Sequence, residues 1–137
     1  MTALAADKLQ EAVFAVLTAD ASLSAAVTAG YDEPPTDAKY PFWSLGGTDM
    51  TGVGTKSKDA VTVSFDVDVW SGEESQMQAK ELLGLVDAAI KASPPASLDV
   101  QILDTVLVTA GVIRQSDETG RFYRGRITYR TQLFEKD

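Results

Sequence analysis

At 137 residues, 45% hydrophobic and without a single cysteine or histidine, the chain has the size of one domain with a substantial core. The missing residue types exclude disulfides, thiolate and imidazole metal ligands, and every catalytic device that depends on those side chains. Twelve basic against 20 acidic residues leave a formal net charge of -8, which disfavours broad binding to a phosphate backbone. No apolar run reaches the roughly 20 residues of a membrane span, so no membrane partner is expected. The start MTALAADKLQ lacks the basic and apolar regions of a signal peptide, and the expected place of synthesis and assembly is the cytoplasm.

In residues 3–19 the apolar Ala5, Leu9, Ala12, Val13, Val16 and Leu17 recur at helical spacing, with Asp7, Lys8, Gln10 and Glu11 largely elsewhere. This predicts an amphipathic helix with Thr2 as its N-cap. Asp20 is placed to cap a second, short helical stretch through Ala21, Leu23 and Val27, which Gly30 would end in a left-handed conformation. The segment YDEPPTDAKYP follows, and its prolines bias the residues before them to extended backbone and lead into a strand near residues 41–45. Residues 46–58 (GGTDMTGVGTKSK) have no hydrophobic period and much glycine, and read as a long, mobile hairpin connection.

The clearest strand is residues 61–69, where Val61, Val63, Phe65, Val67 and Val69 alternate with Thr62, Ser64, Asp66 and Asp68. Ser71 and Glu74 have capping-box spacing, which predicts a helix starting directly after Trp70. Its stripe of Ala79, Leu82, Leu83, Val86, Ala89 and Ile90 faces inward, and Ser93, Pro94 and Pro95 end it. A last hairpin has strands near residues 106–114 and 121–133 around the turn Asp117, Glu118, Thr119, Gly120. Pairing Ser116 with Arg121 sets Val112, Ala110 and Val108 against Gly125, Ile127 and Tyr129 on an apolar face. On the opposite face Ile113, Gly111 and Leu107 then meet Arg124, Arg126 and Arg130. The expected fold is α+β: a two-layer sandwich, mainly antiparallel β-sheet with two helices packed on one face, in a single domain over residues 1–137.

Little in the chain points to catalysis. GVGTKS, residues 52–57, fails as a phosphate loop because Thr55 separates Gly54 from Lys56 and a strand follows where a helix terminus is needed. Asp66 and Asp68 project to one strand face as a carboxylate pair, yet Val69 and Trp70 follow where a calcium loop needs further oxygen ligands. No metal site, cofactor or catalytic set is expected. The arginines are more informative: all five lie between Arg114 and Arg130 in an acidic chain. Arg124, Arg126 and Arg130 form a cationic row that would meet either Asp66 and Asp68 of the same sheet or the acids of a neighbouring copy. Both pairings stay open on sequence alone.

The ordered set of segments carries a resemblance. A helix, a Tyr40-Pro41-Phe42 lead-in to a strand and a Gly/Thr/Lys-rich loop come first. A strand ending in Val69-Trp70-Ser71, a helix, and a hairpin with an acidic-Gly turn and an arginine-rich return strand follow. This order resembles the phage tail-completion (tail terminator, head-tail joining) family, including members in phage-like gene transfer agents, from about Leu4 to Phe134. The resemblance implies a non-enzymatic structural protein of a phage or phage-like particle: a homohexameric ring that ends the tail tube and joins the head-side connector. DNA would only pass through its lumen. Its implied partners are further copies of itself, the tail tube protein and the connector or stopper protein. Asp66, Asp68, Arg124, Arg126 and Arg130 are then candidates for the subunit interface. Asp49, Met50, Thr51, Val53, Lys56 and Lys58 are candidates for contact with tube or connector. Two other readings compete: a head-side stopper or adaptor of the same neck, and a small-ligand-binding module stacking its ligand on exposed Trp43, Trp70 or Tyr123.

Overall fold

A strand that alternates apolar and polar side chains needs a cover on one face only, and the architecture follows from that need. The computed structural model describes residues 4–53, 60–118 and 120–136. In chain order its elements are α1 (Ala6–Ala19), α2 (Ala21–Ala26), β1 (Ala29–Tyr31), β2 (Phe42–Gly52), β3 (Ala60–Ser71), α3 (Met77–Ala92), β4 (Val100–Ile102), β5 (Val106–Asp117) and β6 (Gly120–Glu135). The fold is α+β, with one six-stranded sheet whose strands pair antiparallel except for β1 beside β2. Strand β3 pairs with β2 and β6, while β4 and β5 share the other side of β6.

The odd residues of β3 are buried, and the register sets Leu133, Tyr129, Ile127 and Tyr123 of β6 beside them. On this face lie Leu9, Val13 and Leu17 of α1 and Ala79, Leu82, Val86, Ala89 and Ile90 of α3, in one continuous core with the sheet. Each fully buried Val or Leu contributes roughly 1.5–3 kcal/mol, so these two stripes account for much of the fold's stability. Trp43 of β2 completes the core, its ring edge-on to Phe14 of α1 at 5.4 Å.

Several local expectations held. The Asp20 carboxylate accepts a hydrogen bond from Leu23 N at 2.9 Å and so caps α2. Helix α3 stops at Ala92, ahead of Pro94 and Pro95. The last hairpin has the expected register from Ser116↔Arg121 through Ala110↔Ile127, and Gly120 at its turn takes φ +127°.

Other expectations are corrected. Helix α1 starts at Ala6 behind Ala5, with no side-chain cap, and the proposed cap Thr2 lies outside the described residues. Gly30 is not a left-handed helix stop; it sits in β1 because Trp43 leaves no room for a side chain there, an added Cβ falling 2.0 Å from the indole. Residues 46–52 are not loop but the second half of β2, paired from Thr48↔Phe65 to Gly52↔Val61 after a bulge. Residues 54–59, with Lys56 and Lys58, lie outside the described residues. Helix α3 does not begin after Trp70 but at Met77. Ser71 ends β3 instead, its hydroxyl accepting from Glu73 N at 3.2 Å and donating to Gln78 Oε1 at 2.5 Å. A register shift between Leu107 and Thr109 moves Leu107 opposite Tyr129 and Val106 opposite Arg130, so neither Val108 nor Leu107 keeps its expected partner.

Candidate functional site

The helices cover one face of the sheet, and the even residues of β3 define the other. Across β3 and β6 the direct pairs on this open face are Asp68 with Arg126 and Asp66 with Thr128. Arg126 grips Asp68 with two parallel hydrogen bonds, Nε to Oδ1 at 2.7 Å and Nη2 to Oδ2 at 3.0 Å, a fork that matches carboxylate geometry. Its Nε also lies 3.8 Å from Asp66, which accepts a 2.6 Å hydrogen bond from Thr128 Oγ1. The hydrogen bond from Arg126 to Asp68, with the charges of both carboxylates, holds the guanidinium more firmly protonated than usual against the opposing effect of burial.

The bulge in β2 seals this pair from one side. A Cβ on Gly46 would fall 2.8 Å from Asp66 Cβ and 3.3 Å from Asp68 Oδ2, so the glycine is there for close approach and not for mobility. Asp68 is buried in consequence, though no helix covers it. Of the two pairings left open for the arginine row, Arg126 takes the intramolecular one. The ion pairs among the described residues include neither Arg124 nor Arg130. Arg130 is exposed, and the buried Arg124 Nε has no hydrogen-bond partner.

One end of the face is aromatic. Tyr40, Phe42, Trp70 and Phe122 stack in a closed cycle with centroids 5.7–6.1 Å apart, and Tyr31 meets Phe42 edge-on. Trp70 Nε1 donates to Ser44 Oγ at 2.9 Å, which satisfies the one polar atom of the indole. Burial, and then the nearby Asp117 carboxylate, raise the Tyr40 hydroxyl pKa. This cluster removes the stacking-platform reading. Trp43 and Tyr123 are sealed in the core on the opposite face, and Trp70 already spends its ring faces on Phe42 and Phe122. Sequence reasoning missed the cycle, although carrying the β3 alternation one residue further to Trp70 places it opposite the core.

The edges of the sheet are the other exposed feature. Val106, Leu107, Val108 and Ile113 of β5 are 44–48% exposed, and Met50 near the far end of β2 and Val53 just beyond it are 46% and 44% exposed. Asp49 and Thr51 share this exposed end of β2. Among the described residues no group of three or more acidic side chains gathers to hold a metal ion, and no helix is long and apolar enough to cross a membrane. The arrangement offers surfaces for contact, and Asp68, the one buried carboxylate among the described residues, is already neutralised.

Comparison with known proteins agrees with such a role. A family model described as "Tail completion protein gp17" matches residues 11–133. A chain from the "Virion of native gene transfer agent (GTA) particle" has the same fold with a TM-score of 0.84 and 25% identity, covering 96% of this chain and 98% of that one. The bacteriophage SPP1 gp17 protein matches with a TM-score of 0.63 and 26% identity, covering 98% and 92%. No curated protein sequence gives a match.

Proposed function

Since the chain belongs to the tail completion protein gp17 family, it is a structural protein of tail completion in a phage or phage-like particle, and we propose that it works as a ring. In this reading identical copies close around the end of the tail tube, stop its growth, and present their other side to the head-side connector. DNA passes through the lumen. The observation that carries the reading is the near-complete coverage, in both directions, of a chain that sits in a gene transfer agent virion.

The surfaces suit the work. A sheet stiffened by α1 and α3 makes a wall, and the net charge of -8 keeps that wall from gripping a phosphate backbone in transit. The exposed end of β2, with Asp49, Met50, Thr51 and Val53, is the part we assign to the tube or connector. Arg124 and Arg130, which take part in none of the ion pairs among the described residues, are left for a neighbouring copy, whereas Arg126, Asp66 and Asp68 hold each other within the subunit. The work is that of a non-enzymatic part, done by shape and contact.

Electron microscopy of purified tail tubes mixed with the protein tests the proposal. Capped tubes of fixed length are expected, together with a ring-sized mass by native mass spectrometry. Tubes that keep growing, with the protein bound only to connectors, would move it to the head side of the neck.

A further inference from the structure

Among the described residues two strands leave a long stretch of outer backbone with no strand beside it. On one side β5 pairs only with β6. On the other, β1 covers only Phe42, Trp43 and Ser44 of β2, so residues 45–52 have an open outer edge. Open edges template pairing with another chain, and monomeric proteins blunt them with a charge, a proline or a covering element. Strand β5 does the reverse. Residues 106–113 contain neither charge nor proline, and their large exposed side chains are Val, Leu and Ile.

Charge says what meets this edge. In residues 29–52, Asp32, Glu33, Asp37 and Asp49 stand against Lys39 alone, a net -3. In residues 106–130, five arginines stand against Asp117 and Glu118, and with Arg126 already held by Asp66 and Asp68 of its own subunit the remainder is a net +2. These charges mostly flank the edge strands, on β6 and between β1 and β2, so bringing two β5–β6 hairpins together is disfavoured and bringing the hairpin to the β1–β2 segment is favoured. The two edges cannot meet within one subunit, because β3 and β6 hold them about 14 Å apart.

We propose that β5 of one copy adds to the open edge of β2 on the next copy, so that a single sheet runs from subunit to subunit. The proposal rests on the ring reading above and assigns the contact that builds the ring. Such a contact is heterologous: each copy offers a different surface on each side, and repetition with a constant rotation closes into a ring.

The absence of cysteine makes the test clean. Met50→Cys is combined in turn with Val106→Cys, Val108→Cys or Ala110→Cys, and the assembled protein is cross-linked with a short bis-maleimide. At least one double variant is expected to give a ladder from dimer to full ring on a denaturing gel, while each single variant runs as monomer. A Val108→Cys single variant that cross-links to dimer would mean β5 on β5, and overturn the proposal. So would a ring of normal mass with no ladder in any double variant. A chain that stays monomeric even with tail tubes present overturns the ring reading itself. As an independent arm, Val108→Lys at an exposed position is expected to keep the melting temperature within a few degrees while shifting the ring to monomers. An undisturbed ring counts against edge pairing.

Discussion

Asp68 is a carboxylate almost without solvent, its side chain 6% exposed on a face that carries no helix, and it is tolerable there only because Arg126 satisfies both oxygens. Removing the arginine leaves the charge behind. For a fully buried pair that costs 3–5 kcal/mol, but the Arg126 side chain is 41% exposed, and solvent screening brings Arg126→Met to about 2 kcal/mol. Adding Asp68→Asn should recover at least half of the loss, since the stranded charge is then gone. Urea unfolding of both single variants and the double closes the cycle, and strictly additive costs would mean that the two side chains do not act as a pair. This residue-scale detail was half legible. The position of Asp66 and Asp68 on one face follows from alternation alone, but which arginine they take depends on the register between β3 and β6, a pairing of residues nearly 60 positions apart.

At the scale of elements, the fastening of α3 to the sheet shows how a polar contact holds inside an apolar layer. Tyr129 of β6 is buried, and its hydroxyl donates to Asp87 of α3 at 2.9 Å, while Lys91 binds the second carboxylate oxygen at 2.7 Å. Burial first, then the hydrogen bond and charge of Asp87, push the Tyr129 hydroxyl far above its ordinary pKa. The sign follows directly. Below about pH 10 folded and unfolded chains both keep the proton and the contact counts in full; above it only the unfolded chain ionises, and stability falls. Tyr129→Phe is therefore expected to cost about 1 kcal/mol at pH 8, and its deficit against the wild type should vanish by about pH 11. Melting temperatures across that range check this, and a deficit that grows with pH would contradict it. Elements with a covered face were readable from sequence: α1, β3, α3 and the start of the last hairpin. Those placed by distant partners were not. Residues 46–52 look like a glycine loop because the bulge over Asp66 demands glycine, and Ser71 looks like a helix cap because its bonds to Glu73 and Gln78 differ only in context. The bulge that displaces Leu107 leaves no sequence signal at all.

The whole molecule is a sheet with one closed face, one aromatic and ionic face, and two open edges whose flanking segments carry opposite charge. Family and broad role were legible from the order of segments, whereas the open edges emerge only when the strand order is known, because nothing local marks β5 and the second half of β2 as outermost. The placement of the two tryptophans has an optical consequence. Trp43 lies in the core against Phe14, and Trp70 lies on the opposite face, half-buried between Phe42 and Phe122. One fluorophore thus reports on the helix layer and the other on the open face, from opposite sides of the sheet. In Trp43→Phe the remaining emission belongs to Trp70 alone. A change in its colour or lifetime when tubes or further copies are added, at constant far-ultraviolet circular dichroism, separates docking at the open face from any change in fold.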